Sequence, residues 1–182
     1  MFKRFFLRWA AWLALLGAAI GGTSVAHSTS AEAPMTIKEL TGGSDLLIHG
    51  RVGSLASSKE GQRIFTTIHL AAIEALKGTL TADGVTLKLY GGSYEGKRTI
   101  VVGGPTFDPG EEVVVFLKRN GPDDTYGVLG LAQGKFRIVR EANRPATVSR
   151  DLRGITFHDE RSLEHVPQTW DELKTAIRAA GR

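Results

Sequence analysis

SDLLIHGRV (Ser44–Val52) alternates with a period of two, with Leu46, Ile48 and Val52 on one side and His49 and Arg51 on the other. Such alternation marks a strand with one buried face. QRIFTTIHLAAIEALKG (Gln62–Gly78) is a longer run of the same kind and places Ile64, Ile68 and Leu70 together. The intervening SSKEG supplies turn chemistry and predicts a hairpin joined around Ser58 to Gly61.

The pattern continues outward. VTLKLY (Val85–Tyr90), RTIVVGG (Arg98–Gly104), EEVVVFLKR (Glu111–Arg119), TYGVLGL (Thr125–Leu131) and KFRIVRE (Lys135–Glu141) are rich in Val, Ile, Phe and Tyr. TADG, GGSYEG, FDPG, NGPDD and AQG separate them with Gly, Pro, Asp and Asn. ATVS (Ala146–Ser149) and GITF (Gly154–Phe157) read as one more ragged hairpin. Short strands at this spacing predict a mainly β fold, a closed or partly closed antiparallel OB-like barrel. Its expected core is Leu46, Ile48, Val52, Ile64, Ile68, Leu70, Val85, Leu87, Leu89, Val113, Val115 and Leu117.

A helix is expected at each end of this domain. TIKELTGGSD (Thr36–Asp45) reads as one or two turns, with Thr36 and Glu39 as a capping box and Gly42 as the stop. QTWDELKTAIRAAGR (Gln168–Arg182) carries a second box, Thr169 with Glu172, and an apolar stripe of Trp170, Leu173 and Ile177. Gly181 closes it, and the helix is expected to plug or flank the barrel and cover an open edge.

The first residues set the expected compartment. Lys3, Arg4 and Arg8 precede an apolar stretch, Trp9–Gly22, and then small residues at Ser24 and Ala26. Basic, apolar and small-x-small in that order is a secretory signal, and the run falls short of the roughly 20 residues a membrane span needs. Cleavage is expected after Ala26, with Ala31 as the second candidate. The expected organisation is a signal peptide over 1–26 and a flexible lead-in over 27–35. The β-barrel domain covers 36–160, and a linker with the C-terminal helix packed on the barrel covers 161–182. No membrane association is expected after cleavage, and the destination is the periplasm or the outside of the cell.

The chain carries a net charge of +4. Three of its 23 basic residues lie in the leader, which leaves 20 basic against 19 acidic residues, interspersed and without a basic block. That balance excludes a nucleic-acid-binding surface as the leading reading. Cysteine is absent, so disulfides, thiol chemistry and a lipidated N-terminal Cys are excluded.

The chemical motifs are incomplete. GGSYEGK (Gly91–Lys97) runs G-x-x-x-x-G-K like a phosphate-binding loop. Arg98 stands where the magnesium-ligating hydroxyl belongs, and the β-branched TIVV that follows does not begin a helix. The segment is therefore expected to be a hairpin loop, with no nucleotide and no cofactor. Asp108, Glu111 and Glu112 suggest paired carboxylates, but FDPG is a turn and the two glutamates are expected at the solvated end of a strand. His49 and His69 fall opposite each other if the two long strands pair so that partner numbers sum to about 118, which also sets Val52 opposite Thr66. Two facing imidazoles would need further ligands to hold a metal, and none is indicated. His27 becomes the N-terminus if Ala26 is the cleavage site, and its amine and imidazole together chelate copper. Tyr90 and Tyr94 are the close aromatic pair among the surface candidates. No catalytic, cofactor-binding or metal-binding residue is assigned.

SDLLIHGRV, IFTTIHL, the LKG of Leu76–Gly78, GGPTFDPGEEVVVFL and AQGKFRIV together resemble a group of bacterial exported proteins that carry a β-barrel domain and mostly lack an assigned activity. The likeness covers roughly residues 37–157, and the C-terminal DELK fits it too. The order of these motifs also resembles, distantly, the OB-type barrel of netrin-like modules and tissue inhibitors of metalloproteinases. Those inhibitors block zinc through an N-terminal cysteine, which this chain lacks, so the resemblance implies the barrel shape and transfers no functional residue. The expected role is an exported, non-catalytic module that binds a protein or peptide partner, in one version an inhibitor or companion of a secreted protease. The alternatives are a periplasmic binder of a small molecule, carbohydrate or metal, and then an enzyme.

Overall fold

A computed structural model describes residues 29–31, 34–80, 84–121, 123–158 and 166–181. The expected signal sequence, the expected cleavage site after Ala26 and His27 lie outside the described residues. In chain order the elements are β1 (Thr29–Ala31), α1 (Ile37–Gly43), β2 (Leu46–Glu60), β3 (Arg63–Lys77), β4 (Val85–Tyr90), β5 (Gly92–Tyr94) and β6 (Lys97–Thr99). Then come β7 (Glu112–Arg119), β8 (Tyr126–Val128), a 3₁₀ turn (Leu131–Gly134), β9 (Lys135–Val139), β10 (Thr147–Ser149), β11 (Ile155–Phe157) and α2 (Trp170–Ala180).

The main sheet runs β10-β9-β7-β2-β3-β4-β8, and β8 returns to pair with β7. Five strands, β7-β2-β3-β4-β8, therefore close a ring of pairings. One of those pairings, β4 with β8, is parallel, so the ring is not wholly antiparallel. Two 15-residue strands curl around it because the β2–β3 ladder shifts register three times, between Leu47 and Ile48, His49 and Gly50, and Val52 and Leu55. Each shift inserts residues on one strand and sharpens the local bend.

The ring interior holds Leu46, Ile48, Val52, Ile68, Leu70, Val85, Leu87, Val113, Val115 and Leu117, together with Phe107 and Tyr126. The period-two alternation selects the strand residues among these, and Phe107 comes from the loop before β7. Leu89 packs against them but remains partly exposed.

A second core lies on the opposite face of β7, β2, β9 and β10. Leu47, Val114, Phe116, Phe136, Ile138 and Val148 of the sheet meet Leu40 of α1 and Trp170, Leu173 and Ile177 of α2. Both helices are closed at the N-terminus by capping boxes, Thr36 with Glu39 and Thr169 with Glu172. The chain entering α2 also covers the outer edge of β10, through Val148 N–H to Gln168 O and Trp170 N–H to Ala146 O.

Several expectations are corrected. RTIVVGG is not a strand beyond Thr99: residues 100–104 take no strand conformation and form a loop, with Ile100 68% exposed. ATVS and GITF do not pair with each other, since β10 joins β9 and β11 runs parallel to β1. The β2–β3 turn falls at Gly61–Gln62, where Gly61 supplies a φ of 58° and Glu60 faces Arg63. That turn and the register shifts set Val52 opposite Leu70, not Thr66. Gly91–Thr99 forms a β-hairpin, with Glu95 and Gly96 both at positive φ in its turn.

Candidate functional site

The sequence-derived candidates separate in space. His49 faces Glu74 on β3 and Val114 on β7, whereas His69 lies on the far part of β3 opposite Thr86. The two imidazoles do not face each other, because the true register moves each by several residues. His69 is exposed and its Nδ1 lies 3.2 Å from Thr86 Oγ1. Among the described residues no group of three or more His, Asp or Glu is placed to hold a metal ion.

Glu111 and Glu112 are not at a solvated strand end. Both are buried at the start of β7, Glu111 just before the strand and Glu112 as its first residue, each with its own cation. Glu111 takes Lys135 Nζ at 2.8 Å on each oxygen, and the same ammonium donates to Thr106 O and lies 4.6 Å above the Phe107 ring. Glu112 accepts from Arg140 through Nε and Nη2, and its Oε1 lies 2.7 Å from His49 Nε2. The Arg140 guanidinium foremost, and His49 after it, hold the Glu112 carboxyl at about 2 against the upward push of burial. Trp170 of α2 lies over His49 with ring centroids 4.9 Å apart. His49, Glu112 and Arg140 hold one another beneath Trp170 and so tie α2 to the sheet, while Glu111 and Lys135 bind each other on the other side.

The sequence carried a signal for this arrangement. EEVVVFLKR is an unbroken apolar run after its glutamates, the pattern of a strand buried on both faces. A polar residue beside such a run, such as Glu112 or its neighbour His49 on β2, then falls inside and needs a partner.

An open concavity lies elsewhere, at one end of the ring. Leu55, Ile68, Leu89 and Val128 from four ring strands form its floor, with Phe107. The β5–β6 hairpin and the loop 99–107 form its walls, and its volume is about 410 Å³. That size falls within the range of ligand-binding cavities. Thr66 Oγ1 pins the hairpin by donating to Gly91 O at 2.8 Å, with Ser57 Oγ at 3.1 Å. The rim carries Tyr90, 52% exposed, and Ile100. Tyr94 lies on the other side of the hairpin and lines a different depression, so the Tyr90–Tyr94 pair does not act as one platform.

The loop Ile100–Thr106 explains why its β-branched residues are not in a strand. They are spent on the wall and rim of the mouth. No family model, curated protein or solved structure matches the chain. Among the described residues no helix is long and apolar enough to cross a membrane.

Proposed function

We propose that the chain is an exported binding module, acting in the periplasm or outside the cell, which seats an apolar side chain of a protein or peptide partner in the mouth of its ring. The observation that carries this reading is the continuity of apolar surface from cavity to rim. A small molecule enclosed in about 410 Å³ would leave Ile100 and Tyr90 in water, whereas a polypeptide covers cavity and rim together. The leader composition and the balanced charge of residues 27–182 support export and a partner other than nucleic acid.

The ring supports an OB-type barrel. Numbered in chain order as ring strands one to five, its strands close as one-two-three-five-four, a Greek-key jump that leaves a single parallel contact between the third and fifth.

The test is capture of a partner from the exported fraction of the host, with secreted proteases the first class to look for. Wild-type protein is expected to retain one stoichiometric partner. Ile100→Asp, a change at an exposed side chain, is expected to lose it with an unaltered thermal midpoint. Equal retention by both proteins would remove the mouth as the docking surface. A blank with wild type, together with saturable uptake of a small apolar dye that Ile100→Asp leaves intact, would favour an enclosed small ligand.

A further inference from the structure

β9 and β10 carry the sheet beyond the ring. Lys135 and Arg137 face Val115 and Val113 of β7, and Ser149 of β10 lies opposite Arg137, so these side chains share the face that is the ring's interior further along. The segment 105–111 lies against this strip, and together they bound a second cavity of about 310 Å³. Pro105 and Thr106 line both this cavity and the mouth. Its lining is charged, with four cations (Lys135, Arg137, Arg150 and Arg153) against three carboxylates (Asp108, Glu111 and Asp151).

Two of the cations are spent within the protein. Lys135 gives its donors to Thr106 O and Glu111. Arg153 is paired with Asp151, at 2.8 Å through Nε. The other two make no hydrogen bond to a carboxylate among the described residues. Arg137 is exposed and comes no closer than 3.8 Å to Glu111. Arg150 is partly buried, stacked 4.9 Å from the Phe136 ring, and among the described residues no carboxylate pairs with it. Among the described residues its Nη1 reaches the Met35 carbonyl, at 3.5 Å, and its buried Nε has no hydrogen-bond partner. Burial pulls this guanidinium below its ordinary value, and among the described residues no carboxylate offsets that cost.

We propose that this cavity is an oxyanion site in which the Arg150 and Arg137 guanidinium groups receive carboxylate or phosphate oxygens. A guanidinium presents a planar fork of donors that matches either group, and a buried cation without a counter-ion gains most from one. The site stands independently of the apolar mouth. The shared wall at Pro105 and Thr106 nevertheless lets one polypeptide fill the mouth with an apolar side chain and present an acidic group here.

The purified protein is titrated separately with sodium acetate and with inorganic phosphate at constant ionic strength, with chloride as the control. Backbone amides of residues 135–137 and 149–151 and the arginine Nε–H signals are followed by NMR. Saturable shifts confined to these groups are expected, and the anion that binds tighter distinguishes a carboxylate source from a phosphate source. Arg137→Met is expected to weaken binding roughly tenfold and Arg150→Met to abolish it. If Arg150→Met does not fold, Arg137→Met decides alone, because the Arg137 side chain is exposed and makes no hydrogen bond among the described residues. Absence of saturation with both anions, an equal response to chloride, or undiminished affinity in the foldable variants would overturn the proposal. Ile100→Asp is expected to bind the anion like wild type, which separates failure here from failure of the mouth as a partner site.

Discussion

His49 Nε2 lies 2.7 Å from Glu112 Oε1, beneath the ring of Trp170. The contact joins β2, β7 and α2 at one point, and Arg140 completes it from beyond β9. Glu112 therefore has a larger effect on stability than a surface acid would.

Its pH dependence has a definite sign. The folded value of about 2 lies below the ordinary 4.5. Such a carboxyl stabilises the fold above about pH 4.5 and loses that contribution as pH falls toward 2. The full shift corresponds to about 3 kcal/mol, and screening at the half-exposed Arg140 reduces this to about 1–2 kcal/mol. Glu112→Gln is expected to lose about that much at neutral pH in urea denaturation. The difference between wild type and variant should shrink as pH falls below 4.5. A difference that stays constant down to pH 2 would assign the loss to packing and not to charge.

The second core makes α2 part of the cooperative unit. Leu173 is fully buried among sheet side chains. Leu173→Ala is expected to cost about 2–5 kcal/mol by lost transfer energy and a residual cavity. Trp170 is the only tryptophan in residues 27–182, so its fluorescence reports the helix while far-ultraviolet circular dichroism reports the sheet. Both transitions should move together in the variant. Separate midpoints would show α2 to be an appendage that melts by itself.

The ring core was legible because the residues of its inward face recur with a period of two along β2 and β4. Leu46, Ile48 and Val52, or Val85 and Leu87, needed only a period of two. The register was not legible. It depends on where Gly61 turns and on three irregularities in one ladder, and the local composition of SSKEG favours no single turn residue. The fate of His49 was hidden for another reason. A polar side chain opposite an apolar face is exposed only if nothing covers it, and the cover is Trp170, more than a hundred residues away in sequence. Ile100 shows the reverse. Its β-branched neighbours have strand propensity, but propensity without a partner strand leaves a loop. The mouth is assembled from that loop, a hairpin and four strand ends, and no contiguous motif encodes it.

The hairpin turn offers a stabilising change. Glu95 and Gly96 take φ of 46° and 73°. Glycine tolerates this, but a glutamate there is strained, and the two-residue turn with both φ positive favours Asn-Gly. Glu95 is exposed, so nothing is lost by replacing it. Glu95→Asn is expected to add about 0.5–1 kcal/mol, read as a higher urea midpoint at unchanged slope. A neutral or negative result would mean that the hairpin opens before the rest of the fold and does not contribute to the measured transition.

Gly92 ties that hairpin to the mouth. Its φ of 127° is one that side chains rarely adopt, and a Cβ there would collide with Thr66 Oγ1 and approach Ser57 Oγ to 2.6 Å. Those hydroxyls are the pair that holds the hairpin over the cavity through Gly91 O. Gly92→Ala must therefore shift the hairpin or break the Thr66 bond, at an expected cost of about 1–3 kcal/mol. The ring core lies below the displaced segment, so the variant should still fold, with changed amide signals for residues 89–101. Its partner capture should fall even though no apolar side chain of the rim has been altered. If capture and hairpin signals both stay as in wild type, the hairpin is not a wall that shapes the mouth, and the docking surface is confined to Ile100 and the loop that carries it.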